Sequence, residues 1–122
     1  TQEERRNFNG SDYIEFQFCK MENNTSISSI LSIDNINNWK LDSLYISDYY
    51  EFREIYGKYF DCGIYSNMEC GSIDLYGINY YIADIIDKLI SDIEKDTPKD
   101  YNDLLDWLKE AKKYNGFYIL GV

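Results

Sequence analysis

The sequence contains no histidine among its 122 residues. This absence removes the most common general base, the usual orienting residue of a catalytic triad, and the most common metal ligand. The three cysteines include no Cys-x-x-Cys pair, so the usual ligand spacing of a zinc site is missing as well. Most hydrolase mechanisms and structural zinc sites are therefore poor interpretations of this chain.

Motifs that bind nucleotides or support other chemistry are also missing. Gly57-Lys58-Tyr59 lacks the upstream glycine and the following Ser or Thr of a phosphate-binding loop, and no G-x-G-x-x-G occurs. Acidic residues are so frequent that some pair will have any chosen separation, so paired carboxylates do not indicate glycoside hydrolysis. We therefore predict that the protein is not an enzyme and needs no cofactor.

One polar segment contains oxygen ligands of the kind that calcium prefers. Its residues lack the order of an EF-hand loop and the closing glutamate, so a solvated loop is the favoured interpretation and no metal site is predicted. The residues concerned are Asp34, Asn35, Asn37 and Asn38.

The sequence has no apolar run of about 18 residues that could span a membrane. No signal peptide is recognisable, although the chain begins with Thr1 rather than Met, so a removed leader remains an alternative. Reduced, half-buried thiols are the favoured state of the cysteines, with a Cys62 to Cys70 disulfide as the alternative. These features together favour a cytoplasmic protein.

Acidic residues dominate the charge. Asp and Glu number 22 against 12 Lys and Arg, for a net charge of -10. Such a charge repels nucleic acid and anionic membranes and steers basic partners toward the protein. Solubility alone is the alternative explanation for the acidity.

Size and composition predict one folded domain. Hydrophobic residues make up 44% and charged residues 28% of the chain, which is typical of a folded soluble protein. Residues 1–11 have mixed charge and no apolar period, and we expect them to be a loose lead-in to a single domain over residues 12–122.

Apolar spacing predicts three helices. The chain is organised around residues 80–95, and a second helix is expected after Thr97 and Pro98, with Thr97 as its N-cap and Asn115-Gly116 as its end. A third helix of about two and a half turns follows Asp48, which forms a capping-box pattern with Glu51, and it ends at Gly57. The expected buried stripes of the first two helices are Ile82, Ile85, Ile86, Leu89, Ile90 and Ile93, and Tyr101, Leu104, Leu105, Leu108 and Ala111. In the third helix, aromatic residues follow at helical spacing, and only some of the tyrosines can face the core: Tyr49, Phe52, Tyr56 and Tyr59.

Alternation and β-branched residues predict the strands. Residues 13–20 indicate a half-buried strand, residues 25–33 a strand that pairs with it, and residues 41–47 another short strand. Residues 61–66 and 71–77 indicate a hairpin, and the wholly apolar 117–120 indicates a central strand. The expected fold class is α+β: a mainly antiparallel sheet of roughly five to six strands with two long C-terminal helices packed on one face.

The outer face of the last helix is the first candidate interaction site. At about 100° per residue, Asp103, Asp106 and Glu110 share one face, and Trp107 lies at its border beside Tyr114. Aromatic anchors among charges are typical of interface hot spots. The alternative is that Trp107 completes the edge of the core, with nearby lysines, Lys109 and Lys113, neutralising the acids.

Trp107 is therefore the residue that separates the two interpretations. On the hot-spot interpretation, Trp107→Ala costs about 1 kcal/mol of stability and at least about 2 kcal/mol of partner affinity. If the indole is buried, the same change costs about 3 to 5 kcal/mol of stability.

A second candidate site lies at the start of the helix after Asp48. There the outward-facing Tyr50 is expected beside Glu54, so that an aromatic ring again stands among carboxylates. The alternative is an aromatic-rich core that uses many of the 13 tyrosines. The candidate residues of this second site are Asp48, Tyr50, Glu51 and Glu54.

GSIDLYGINYY at residues 71–81 and PKDYNDLLDWLKEAKKYNGFYILGV at 98–122 resemble small bacterial immunity proteins encoded beside polymorphic or contact-dependent toxins. The resemblance covers only the C-terminal part of the chain and does not select one immunity family. It implies non-catalytic blockade of a cognate toxin, commonly a basic nuclease, inside the producing cell. It carries over no contact residue, because such proteins diverge most where they touch their toxins.

The combined hypothesis is an immunity protein whose acidic, tyrosine-rich surface blocks a basic toxin domain, with a nuclease as the expected toxin class and neither nucleic acid nor membrane as partner. The alternative is a phage-encoded inhibitor that mimics nucleic acid, such as an anti-CRISPR protein, which would carry the same charge to an RNA-guided nuclease. The oligomeric state and the identity of the target stay open at this point.

Overall fold

The computed structural model describes residues 14–22, 24–32, 44–46, 49–74 and 76–120. For residues 45, 46, 49 and 50 it describes the backbone only. The predicted lead-in at 1–11 and the polar loop at 34–38 lie outside the described residues.

Six strands form one sheet in which every neighbouring pair is antiparallel. The order across the sheet is β2-β1-β6-β5-β3-β4, so that the first and last strands in sequence lie side by side near its centre. The strands are β1 (Ile14–Phe18), β2 (Leu44–Ile46), β3 (Gly63–Tyr65), β4 (Cys70–Gly71), β5 (Ile78–Tyr81) and β6 (Phe117–Leu120).

Within the described ranges, four α-helices and two short 3₁₀ turns lie between these strands. The 3₁₀ turns are Gly57–Tyr59 and Ala83–Ile85. The helices are α1 (Ile27–Ile30), α2 (Tyr49–Tyr56), α3 (Ile86–Asp96) and α4 (Tyr101–Ala111).

One face of the sheet carries the main core. The apolar stripes of α3 and α4 are buried against it, and α2 adds Phe52 and Tyr56 to the same cluster. The sheet contributes Phe16, Tyr81 and Phe117, whose rings pack within the cluster. The predicted α+β class, with two long C-terminal helices on one face, is therefore confirmed, and α2 is a third helix on that face.

The other face carries a second, smaller cluster. Tyr118 is fully buried there, and its hydroxyl donates a hydrogen bond of 2.6 Å to the carbonyl oxygen of Ile30 in α1. This bond ties the short helix to the central strand β6. The sheet is consequently covered on both faces near its centre.

That second cluster makes the prediction of a half-buried first strand wrong. All five residues of β1 are buried, including Glu15 and Gln17, whose side chains alternate with Ile14, Phe16 and Phe18. Gln17 Nε2 donates a hydrogen bond of 2.5 Å to Glu15 Oε2, so the two polar side chains satisfy each other in part. The alternating pattern correctly predicted which face of the sheet each side chain is on. It could not predict that other elements bury the second face as well.

The prediction of a strand at residues 25–33 is also wrong. Residues 27 to 30 form α1, and Ser26 caps it by accepting a hydrogen bond at Oγ from the backbone N–H of Ser29, at 3.4 Å. The capping serine offers the backbone a local partner that overrides the β preference of the isoleucines.

The predicted organising helix begins later than residue 80. Residues 78–81 form β5, which pairs with both β3 and β6, and α3 begins only at Ile86. Ile82 is 38% exposed and Ile85 is half-buried, whereas the predicted stripe residues from Ile86 onward are buried. Tyr80 and Tyr81 resemble the start of the helical pattern because they are apolar and directly precede Ile82. In the structure they belong to β5, and their side chains point to opposite faces of the sheet.

The junction between α3 and α4 differs from the predicted one. Thr97 does not cap α4; it ends α3 in the left-handed conformation, with φ of 43°, and its N–H donates to Ile93 O. Asp100 precedes α4 with φ of 58° and makes no capping bond with its side chain. The predicted end of α4 at Asn115-Gly116 is too late, since the helix ends at Ala111 with Lys112 as its C-cap. Gly116 directly precedes β6 with φ of 82°, and a Cβ there would lie 2.2 Å from the oxygen of Tyr81.

Candidate protein-interaction site

The outer face of α4 presents the acids that its periodicity predicts. Asp103, Asp106 and Glu110 are all exposed, while the opposite stripe of the helix is buried. Glu110 forms an ion pair with Lys113 at 3.1 Å. Asp103 and Asp106 form no ion pair with any residue that the structure describes. Two of the three carboxylates therefore keep their charge available to a partner.

Trp107 is half-buried and packs tightly on the core. Its ring stacks on Phe18 with a centroid distance of 4.3 Å and an interplanar angle of 6°. It also meets Phe16 and Phe117 edge-on, at 5.5 and 5.6 Å. Trp107 thus has the partial exposure expected of it, but most of its contacts are internal.

Tyr114 follows α4 and packs on the same phenylalanine as the indole of Trp107. It is half-buried and stacks on Phe18 at 4.7 Å, with an interplanar angle of 25°. Lys20 Nζ lies 5.7 Å from the centre of the Tyr114 ring, within cation–π range. Phe18 therefore holds both predicted aromatic anchors in place, at the edge of the acidic face.

The second candidate site is described only in part. Glu54 is exposed on α2, and Glu51 forms an ion pair of 2.5 Å with Lys99. Asp48 and the side chain of Tyr50 lie outside the described residues. The predicted pairing of an exposed tyrosine with Glu54 consequently stays a prediction.

The structure brings the two candidate sites next to each other. Besides the Glu51 ion pair, the hydroxyl of Tyr56 donates a hydrogen bond of 2.5 Å to the carbonyl oxygen of Lys99. Both contacts hold α2 against the loop that enters α4. The start of α4 therefore lies near the helix that carries the second candidate site.

Cysteine and acidic side chains in the described part of the chain are the candidates for metal binding, and the cysteine thiols are also candidate nucleophiles. That part of the chain contains no group of three or more Cys, Asp or Glu side chains arranged to hold a metal ion. All three cysteines are free; Cys19 is buried, and Cys62 and Cys70 are exposed rather than half-buried as predicted. Burial raises the pKa of the Cys19 thiol, and burial together with the charge of Asp61 raises the pKa of Cys62. Both thiols are therefore protonated near neutral pH and are weak nucleophiles.

Two prominent surface residues were missed at the level of sequence. Met68 and Tyr76 are 54% and 66% exposed, and neither belongs to the predicted sites. The sequence feature that could have indicated this region is its charge. The chain has no Lys or Arg between Lys58 and Lys88, and that stretch contains several acids.

Comparison with known proteins adds no assignment. No protein-family model matches the chain, and neither curated protein sequences nor solved structures give a significant match. None of the helices in the described ranges has the length and apolar character needed to cross a membrane.

Proposed function

We propose that this protein is a non-catalytic immunity protein that binds and blocks a basic toxin domain, a nuclease in the simplest form of the proposal. It would act in the cytoplasm of the bacterium that makes the toxin. The acids of its surface would occupy the cationic groove in which such a toxin otherwise binds nucleic acid.

The observation that carries this proposal is unneutralised negative charge beside anchored aromatic rings. The net charge is -10, and Asp103 and Asp106 stand exposed on α4 without an ion-pair partner among the described residues. Trp107 borders them and is held by Phe18. A rigid aromatic edge among carboxylates favours a protein surface with Lys or Arg around an apolar centre.

Charge spacing favours the immunity role over an inhibitor that copies the regular phosphate row of a nucleic acid. Lysines alternate with the acids on both long helices, at Lys88, Lys95 and Lys109. Lys112 of the segment after α4 pairs with Asp87 of α3 at 2.9 Å. A continuous row of phosphate-like charges is therefore interrupted, which supports the immunity role over an inhibitor of the anti-CRISPR type.

The test uses the purified product of the gene next to the one that encodes this chain. We expect calorimetry to show a one-to-one complex of the two proteins. We also expect the nuclease activity of the neighbouring gene's product to be lost in that complex. Absence of binding, or binding that leaves the activity intact, would contradict the proposal. Binding instead to the nucleic-acid channel of an RNA-guided nuclease would favour the alternative inhibitor.

A matched pair of variants locates the contact. Asp106→Lys on α4 and Glu94→Lys on α3 change the net charge equally, and both positions are exposed. If α4 faces the toxin, Asp106→Lys weakens binding by about tenfold or more while Glu94→Lys has a small effect. Equal effects of the two variants would indicate attraction by net charge without a contact at Asp106.

A further inference from the structure

Two of the three most exposed apolar side chains in the described part of the chain lie at the same end of strands β3 and β5. Met68, Tyr76 and Ile82 are the large hydrophobic residues most exposed in the described part of the chain, at 54%, 66% and 38%. β3 runs directly into the turn that contains Met68, and β5 emerges from the segment that contains Tyr76. Since β3 and β5 are antiparallel neighbours, with Tyr65 opposite Asn79, both residues lie at the same end of these strands.

Tyr76 stands on a firmly held segment. The buried side chain of Asn79 accepts a hydrogen bond at Oδ1 from Asp74 N and donates from Nδ2 to Asp74 O, both at 2.8 Å. Its Nδ2 also donates to Ile119 O at 3.0 Å, which joins the segment to β6. The Asp74 carboxylate in turn accepts from the N–H of Tyr76. An exposed tyrosine is therefore presented by a backbone that the core fixes.

Met68 is held outward by a strained turn. Its φ of 74° lies in the left-handed region, which is unfavourable for a side chain with a Cβ. The N–H of Met68 donates to Tyr65 O at 2.9 Å, and that of Glu69 donates to Asn67 Oδ1 at 3.0 Å. A glycine would satisfy this geometry better, so the methionine side chain is not explained by the turn.

Charge indicates what kind of partner fits here. Glu69 and Asp74 flank the two apolar side chains, and neither forms an ion pair within the described ranges. Lys88 is the first cation after the stretch that lacks Lys and Arg. Its charge acts to lower the pKa of Cys62, and Cys62 precedes β3 at the end opposite to the Met68 turn. Each exposed apolar side chain therefore has a carboxylate within two residues of it in the sequence, and no ion pair among the described residues neutralises that carboxylate.

We propose that this sheet-end surface, defined by Met68, Glu69, Asp74 and Tyr76, is a docking site for a basic protein. Tyr76 and Met68 enter an apolar recess of the partner, and Lys or Arg side chains around that recess pair with the two carboxylates. An anionic membrane or nucleic acid is repelled by the same carboxylates. The inference rests on the proposed function and adds a second contact surface to the one on α4.

The experiment measures binding of the neighbouring gene's product to Met68→Gly and Tyr76→Ala. Met68→Gly removes the side chain and relieves the positive φ, so the fold is retained while the dissociation constant rises by about tenfold or more. Tyr76→Ala removes an exposed ring and is expected to act in the same direction. Thermal unfolding of each variant is the control: a melting temperature equal to that of the unsubstituted protein shows that weaker binding does not come from unfolding.

Ile82→Ala is the matched control, because Ile82 is an exposed apolar residue at the other end of β5. We expect its dissociation constant to equal that of the unsubstituted protein. If all three variants bind as tightly as that protein, the docking surface is wrong and the proposed function stands. If the unsubstituted protein itself does not bind, both are wrong.

Self-association is the remaining outcome. Sedimentation of the protein alone shows whether the surface instead covers a second copy of the chain. A dimer that Met68→Gly dissociates, with partner binding unchanged, would overturn the assignment to a basic partner. A monomer that loses partner affinity on the same substitution supports it.

Discussion

Trp107 lies where the core and the proposed contact surface meet. Its ring stacks on Phe18 and meets Phe16 and Phe117 edge-on. These contacts raise the expected cost of Trp107→Ala from about 1 kcal/mol to about 2 to 4 kcal/mol of unfolding free energy, because a half-buried aromatic site is emptied. Denaturant unfolding measures this, with Trp107→Phe as the control that keeps a ring.

Affinity of the same variant separates stability from recognition. If the folded Trp107→Ala protein binds the partner normally, the indole serves the core only, and the contact must be carried by the neighbouring acids. A stability loss below about 1 kcal/mol with a large loss of affinity would contradict a role of the indole in holding the core together.

Asn79 is the residue on which the Tyr76 segment depends. Its amide makes three hydrogen bonds to backbone groups from a fully buried position. Asn79→Ala is expected to cost about 2 to 3 kcal/mol, because buried donors and acceptors lose their partner. Asn67→Ala, at an exposed turn position, is the control and should cost less. Equal midpoints of unfolding for the two variants would contradict this role of Asn79.

At the scale of elements, the end of α3 contains removable strain. Thr97 is β-branched and has φ of 43°, a conformation that glycine adopts without the clash at Cβ. Thr97→Gly is therefore expected to raise the free energy of unfolding by about 1 kcal/mol. Ser91→Gly, in the exposed middle of α3, should lower it by about 0.5 to 1 kcal/mol. If Thr97→Gly instead lowers the free energy of unfolding, the threonine side chain stabilises the fold by more than its backbone strain costs.

The elements also show what sequence patterns can predict. The stripes of α3 and α4 and the central position of β6 follow from apolar spacing, since long periodic segments must bury one side. β5 was missed because Tyr80 and Tyr81 directly precede a helical series and share its apolar character. α1 was missed because one serine cap decides between two weak local preferences.

The candidate site was predictable to a different degree. Helical geometry places Asp103, Asp106 and Glu110 on one face whatever the tertiary packing. The burial of Trp107 and the ion pair between Glu51 and Lys99 depend on contacts between distant parts of the chain. Met68 and Tyr76 depend on which strands are neighbours, and no local pattern contains that information.

At the scale of the whole molecule, buried tyrosines set the alkaline limit of stability. Burial, and then nearby charges, raise the pKa of Tyr56, Tyr80 and Tyr81, and burial with the contact to Cys19 raises that of Tyr118. Burial, and then the hydrogen bond to Asp96, raise the pKa of Tyr59 to about 12. An unfolded tyrosine titrates near pH 10, so the unfolded chain loses these protons first. Stability is therefore full below about pH 10 and falls as the pH rises through the folded values.

The measurement is a parallel titration of tyrosinate absorbance and near-ultraviolet circular dichroism. We expect the absorbance of the buried group to appear only as the tertiary signal is lost. Complete ionisation of all tyrosines near pH 10 with an intact tertiary signal would contradict the burial of these rings.

The charge of the whole molecule leads to the most direct test of its proposed role. At -10, the protein should attract a basic toxin before contact, so the association rate with the neighbouring gene's product is the quantity to measure. We predict a fall of about tenfold or more in that rate from about 0.01 M to about 1 M salt, with a smaller change in the dissociation rate. An association rate that does not change with salt would contradict recognition of a basic partner by this acidic surface.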